Sequence, residues 1–212
     1  MKVLPQSFYN RNSVLDVAKD LLGKVLCSRF DGVFTASRIV ETEAYNGVID
    51  KASHAYGNRH TNRTSVMFGE GGTAYVYLCY GIHHLFNVVT NKRGTPHAVL
   101  IRATDPLEGV AAMLERTGKL RLDATLTRGP GNVSKAMGIS TIHSGSSLKK
   151  SPLWIASDDF SLTTENIIAT KRIGVDYAAE DALLPYRFFI KGNRYVSGNR
   201  QQNLAVVHET VR

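Results

Sequence analysis

Four segments rich in β-branched or aromatic residues, Thr35–Ala44, Thr73–Tyr80, Ala98–Arg102 and Tyr186–Lys191, read as strands. Parallel strands need a crossover between them, usually a helix. Here strands and helices mix without a regular βαβ rhythm, which favours an α+β fold over a parallel sheet. The expectation is a single compact domain over residues 1–212, with a mixed, mainly antiparallel sheet, flanking helices and a protruding β-hairpin. A length of 212 residues suffices for one sizeable core and is short for two.

Three helices follow from start and stop signals. Ser13 with Asp16 three residues on reads as an N-cap pair; Val14, Val17 and Leu21 recur at helical spacing, and Gly23 can close the turn. Asp105-Pro106-Leu107-Glu108 offers a capping Asp, Pro at the first helical position and Glu at the third. It predicts a helix through Met113 and Leu114 to Gly118. Gly129-Pro130-Gly131 starts a third helix that stops at Gly138, and Ile142–Pro152 reads as a surface loop. The polar stretch Asn46–Gly72 is longer than ordinary connections, and loops of that length in a compact domain are usually functional.

Lys and Arg number 26 against 18 Asp and Glu, a formal charge of +8. Such a surplus attracts polyanions and is the usual footprint of nucleic-acid binding, although a basic surface alone does not require it. Cys27 and Cys79 have no metal-like spacing and are expected to be reduced, buried thiols. The N-terminus lacks the apolar run of a signal peptide, and no stretch approaches the length of a membrane span. An intracellular protein is the expectation.

Glu41, Glu43 and Tyr45 share one face of their strand if it stays extended. Carboxylates beside an aromatic ring could activate water against a bound ring system; the alternative is a solvated face with two surface acids, the commoner case. Tyr75, Tyr77 and Tyr80 crowd one strand and its turn, with Tyr80 facing away from the other two. Rings on a basic protein suit base stacking and wedging, but tyrosines also fill cores. Arg102, after an apolar run, suits a partly buried pairing with a carboxylate. His54 could hydrogen-bond, with an ordinary surface histidine as the alternative. No H-x-x-x-H, HExxH or Cys/His cluster points to zinc, and no P-loop, dinucleotide or Gly-x-Ser-x-Gly fingerprint is present.

In order and spacing, Arg38-Ile39-Val40-Glu41-Thr42-Glu43-Ala44-Tyr45, Ser53-His54-Ala55-Tyr56, Met67-Phe68-Gly69, Tyr75-Val76-Tyr77 and Tyr80-Gly81 resemble the alkyladenine (3-methyladenine) DNA glycosylase family. So do Asn87-Val88-Val89, Leu100-Ile101-Arg102-Ala103, Gly129-Pro130-Gly131, Arg172-Ile173-Gly174-Val175 and Pro185-Tyr186-Arg187-Phe188. The resemblance covers nearly the whole chain. It implies that Glu43 activates water and that Arg102 helps hold that water and keep Glu43 ionised. It implies a base pocket of Tyr45, His54, Tyr77, Asn87 and Ile173, with Tyr80 entering the duplex through the minor groove. Asn87 would screen exocyclic groups, and the Ile173 backbone would lie near the water. Asn132 after Gly-Pro-Gly and Thr64 after Arg63 depart from the family's usual residues and bear on phosphate contacts.

The function so implied is a monofunctional glycosylase, metal-free and cofactor-free. It would flip alkylated or deaminated purines out of duplex DNA and hydrolyse the N-glycosidic bond in base excision repair. The partner is double-stranded DNA, and the enzyme is expected to be a monomer acting where the DNA is. The alternatives are a non-catalytic protein that binds damaged DNA and an RNA-directed relative using the same aromatic platform.

Overall fold

The computed structural model describes residues 1–204. The last eight positions of the expected 1–212 unit lie outside the described residues. In chain order the elements are β1 (Lys2–Val3), α1 (Gln6–Tyr9), α2 (Val14–Leu21), β2 (Val25–Phe30), β3 (Val33–Tyr45), β4 (Ala74–Cys79) and β5 (His83–Thr90). There follow β6 (His97–Glu108), α3 (Val110–Thr117), α4 (Pro130–Met137), β7 (Lys149–Lys150), β8 (Leu153–Ser157), β9 (Ile167–Thr170) and β10 (Arg187–Ile190). One sheet takes the strand order β1-β8-β2-β3-β6-β5-β4, with β10 also on β3, β9 on β10 and β7 on β8. Every named strand pair runs antiparallel, so the mainly antiparallel α+β reading holds.

β3 organises the sheet. β6 accompanies it from Ala36 to Tyr45 on one side. On the other side β2 covers Val33–Arg38 and β10 covers Glu41–Glu43. On β4, β5 and β6 side chains alternate between two faces. Val76, Phe86, Val88, Val99 and Ile101 enter the main core with Val17, Ala18 and Leu21 of α2, Met113 of α3 and Val133, Ala136 and Met137 of α4. Their alternates, Tyr75, Tyr77, Leu85, Asn87, Ala98, Leu100 and Arg102, line a cavity on the other face. The period-2 pattern therefore places the core on one side of the sheet and the cavity on the other.

Two of the three helix readings match the structure closely. Ser13 caps α2, its Oγ accepting from the Asp16 N–H at 3.2 Å, and Gly23 follows at φ 81°. α4 starts at Pro130 and is closed by Gly138 at φ 71°. The second start is displaced. Asp105, Pro106 and Glu108 continue β6, paired with Arg38, Ser37 and Ala36 of β3, and α3 begins only at Val110 after Gly109 at φ 73°. Strand pairing outcompetes the local cap signal. Pro106 is tolerated because β5 pairs with β6 only from His97 to Leu100, leaving Pro106 on a free edge that needs no amide donor.

The polar stretch after β3 is held by short 3-10 turns at Gly47–Ile49, Tyr56–Asn58 and Ser65–Phe68. The β4–β5 hairpin turns through Tyr80 and Gly81, both at positive φ (50° and 73°), with the Ile82 N–H donating to the Cys79 carbonyl. These are the φ signs of a type I′ turn, normally built from Asn and Gly. Cys27 and Cys79 are free, the first buried and the second partly so. No helix among the described residues is long and apolar enough to cross a membrane.

Candidate active site

The cavity has a volume of about 370 Å³, at the lower end for small-molecule sites. Cross-strand register builds its floor. Tyr75 lies opposite Asn87, Tyr77 opposite Leu85, Asn87 opposite Leu100, and Tyr45 opposite Ala98. The long polar stretch contributes His54, Arg63 and Met67, and the segment after β9 contributes Ile173, Gly174, Val175 and Tyr177.

Glu43 stands behind this lining, fully buried. A solvated strand face is therefore excluded for both acids, since Glu41 is equally buried. Glu43 Oε1 accepts the Ile173 backbone N–H at 2.8 Å. Its Oε2 accepts the Tyr45 O–H at 2.9 Å and lies 3.2 Å from Arg102 Nη1. A carboxylate offers about four acceptor positions, so one remains uncommitted to protein donors. Burial and the Glu43 charge push the Tyr45 phenol well above its ordinary value, which keeps its proton available to donate.

Arg102 links the two acids. Its Nε donates to Glu41 Oε1 at 3.2 Å, and its Nη2 to Ser197 Oγ at 3.3 Å. Burial alone would disfavour its charge, but Glu43 and then Glu41 outweigh that and raise its pKa. Glu41 also accepts from Arg187 Nε at 2.6 Å, from the Ser197 N–H at 2.7 Å and from Ser197 Oγ at 2.9 Å. Two carboxylates thus face two guanidiniums, a buried cluster with no net charge. A second pair, Asp50 with Arg172, is bidentate at 2.5 and 2.9 Å. Arg172 also donates to the Ala44 carbonyl and its guanidinium lies 5.0 Å from the Tyr45 ring centre. This clamp fixes the segment whose next residue, Ile173, meets Glu43.

His54 Nδ1 lies 2.9 Å from the Tyr75 hydroxyl, and its ring meets Tyr77 edge-on at 4.7 Å. Burial, then the charges of Arg63 and Arg59, lower its pKa to about 4, so it is neutral at physiological pH. Asn87 commits its amide N–H groups to the Tyr75 and Leu85 carbonyls, leaving Oδ1 as its uncommitted polar atom. Tyr80 is 90% exposed on the hairpin turn and also borders the cavity. It sits in the turn rather than on the strand, so strand parity does not govern its direction. An electron-rich cage backed by a buried carboxylate can hold a flat cationic or neutral ring and direct water at its attachment.

Residues 7–194 match the family model for methylpurine-DNA glycosylase. The chain belongs to this family. Relatives provisionally assigned as 3-methyladenine DNA glycosylases agree along almost their full length. The chain is 44% identical to one from Desulfitobacterium hafniense (93% of this chain, 99% of the relative) and 46% identical to one from Alkaliphilus oremlandii (92% and 98%). A third, from Chlamydia abortus, is 46% identical over 89% of this chain and 98% of its own.

For this methylpurine-DNA glycosylase family member, the structure brings Tyr45, His54, Tyr77, Tyr80, Asn87, Arg102 and Ile173 to one cavity wall, with Glu43 directly behind. Sequence reasoning left out Arg63, Met67 and Tyr177 from the lining, and Asp50, Arg172 and Arg187 from the supports; Tyr75, singled out as a stacking candidate but not placed in the pocket, also lines it. Arg172 was within reach, because it adjoins Ile173 in a motif already singled out. Arg63 was visible only as a departure beside Thr64. Among the described residues no group of three His, Cys, Asp or Glu side chains is arranged to hold a metal ion.

Proposed function

We propose that this single-domain protein is a monofunctional DNA glycosylase that releases alkylated or deaminated purines from duplex DNA in base excision repair. A base inside the stack is out of reach, so it must be flipped out. Tyr80, exposed at the tip of the β4–β5 hairpin, is suited to enter the gap. A wedge of this kind offsets part of the few kcal/mol that unstacking costs. The purine then lies among Tyr45, His54 and Tyr77, whose rings can stack against it, and Asn87 screens its edge.

Glu43 supplies the chemistry. Its uncommitted acceptor position takes a proton from water as that water attacks the sugar carbon. Its charge also stabilises the oxocarbenium-like sugar as the base departs. Arg102 and the Ile173 N–H orient the carboxylate. Water is the nucleophile and no lysine adduct is involved, so the product is an abasic site in an unbroken strand. The reaction needs only these side chains and water, without a metal or cofactor. We take the enzyme to act as a monomer, inside the cell where its DNA lies. Its lesion range is drawn from 3-methyladenine, 7-methylguanine, hypoxanthine and ethenoadenine.

The observation that carries this reading is a fully buried carboxylate, ion-paired with Arg102 and hydrogen-bonded by Tyr45 and the Ile173 N–H, behind an aromatic cavity. The test is base release from a duplex with one lesion, followed by alkali to reveal abasic sites. Breaks should appear only after alkali. Glu43→Gln should bind the same duplex as well as wild type, while releasing base about 10²- to 10⁴-fold more slowly. Retained turnover in that variant would remove Glu43 from the role. Tight lesion binding by the wild type with no release would favour the non-catalytic binder, and preference for RNA in competition would favour the RNA-directed relative.

A further inference from the structure

Arg63 is an exposed loop residue whose guanidinium nevertheless reaches the cavity wall. Its Cζ lies 4.8 Å from the centre of the Tyr77 ring, and its Nη2 lies 3.2 Å from His54 Nε2. A guanidinium has only donors, so Nε2 must be the acceptor in this contact. The His54 proton is then on Nδ1, directed at the Tyr75 oxygen 2.9 Å away. One arginine therefore sets the tautomer of a pocket histidine and occupies the negative face of a pocket tyrosine.

Charge balance makes this contact consequential. Arg102, which also lines the cavity, is matched by Glu41 and Glu43. Arg63 makes no ion pair with a carboxylate among the described residues. The cavity wall therefore holds one positive charge without a counter-charge, resting on the ring that would otherwise attract a cationic base.

We infer that Arg63 is a specificity-determining residue that biases the pocket toward neutral purines and against cationic N-alkylated ones. The inference rests on the glycosylase reading above. A 7-methylated guanine carries its positive charge into the same wall. It must displace the guanidinium from Tyr77 and His54 or lie beside a like charge. Hypoxanthine is neutral and meets neither obstacle. A cation–π contact at a part-exposed site is worth about 2- to 30-fold in an equilibrium. Removing the charge should therefore change the ratio of the two substrates about tenfold, equivalent to about 1.4 kcal/mol.

The experiment compares wild type, Arg63→Gln and Arg63→Lys on two duplexes, one with hypoxanthine and one with 7-methylguanine. It measures single-turnover base release and equilibrium binding for each. Because Arg63 is exposed, neither variant should disturb folding. In Arg63→Gln the 7-methylguanine to hypoxanthine ratio should rise about tenfold in release and in binding, while Arg63→Lys keeps the wild-type bias. An unchanged ratio would overturn the inference. So would equal weakening of both duplexes with a shallower salt dependence, which identifies a phosphate contact. Release of neither base by wild type would defeat the glycosylase reading instead, and the binding ratio would still judge Arg63.

Discussion

Arg187→Met tests whether the buried ionic cluster supports the site. Arg187 is completely buried and its guanidinium makes five hydrogen bonds. Nε reaches Glu41 Oε1 at 2.6 Å. Nη1 reaches Thr170 Oγ1 at 3.0 Å and the Gln202 carbonyl at 2.8 Å. Nη2 reaches the Ser197 carbonyl and Asn203 Oδ1, both at 2.8 Å. Methionine keeps an unbranched stem of similar reach but removes every donor and the charge. Two buried carboxylates would then share Arg102 alone. Breaking a buried pair in this way costs about 3–5 kcal/mol, mostly the penalty of the charge left behind. Gln202 and Asn203 are near solvent and can recover water, which keeps the total near about 4 kcal/mol. With a urea slope of about 2 kcal/mol per M, the unfolding midpoint should fall by about 2 M. The double variant Glu41→Gln/Arg187→Met removes both charges and should recover at least about 1 kcal/mol of that loss. A midpoint shift under about 0.5 M in the single variant, or strict additivity in the double, would refute the argument.

Two further outcomes follow from the hairpin and the histidines. Tyr80 holds a left-handed conformation at φ 50° while 90% exposed, so Tyr80→Gly should leave stability unchanged or raise it by about 0.5 kcal/mol, yet sharply reduce base release. Thermal melts and release assays on one sample check both halves, and a clear loss of stability would contradict the strain assigned here. Burial lowers the pKa values of His54, His97 and His143, that of His54 to about 4 from 6.5. Above pH 6.5 native and unfolded chains both hold His54 neutral; below it the unfolded chain takes up a proton that the native one refuses. Stability should be level from about pH 7 to 8 and decline from about pH 6.5 toward 4, with a shallower decline in His54→Gln. Urea midpoints across that range measure it, and a level profile down to pH 4.5 would remove the burial assigned to these rings.

Much of the site was legible because strand periodicity is strict. The alternation that puts Tyr75, Tyr77, Asn87 and Arg102 on one face can be read from spacing once their segments are taken as strands. The Asp105 helix start misled for a long-range reason. A cap signal is local, whereas Arg38 and Ser37, which hold Asp105 and Pro106 extended, lie more than sixty residues away in sequence. β2, β5, β8 and β9 were not singled out as strands; β8 and β9 pair with β2 and β10, distant in the chain, whereas β2 and β5 also form hairpins with their neighbours β3 and β4. Glu41 and Glu43 were readable as neighbours on a face, but nothing in their spacing revealed that the face is buried. That burial depends on Arg187 and Ser197, about 150 residues further on.

The position of β3 has a consequence for how the molecule opens. Glu43 lies on a strand with β6 on one side and β10 on the other, at the middle of the most extensively paired part of the sheet. Tyr80 lies in the three-residue connection 80–82, 90% exposed to solvent. Amide exchange in such architectures proceeds from frayed edges inward, and central strands yield only with global unfolding. On the roles proposed above, Glu43 thus belongs to the slowest-opening unit of the chain and Tyr80 to one of the fastest. If Tyr80 meets the duplex as proposed, local breathing lets the hairpin adjust to it without loosening Glu43 in the central strand.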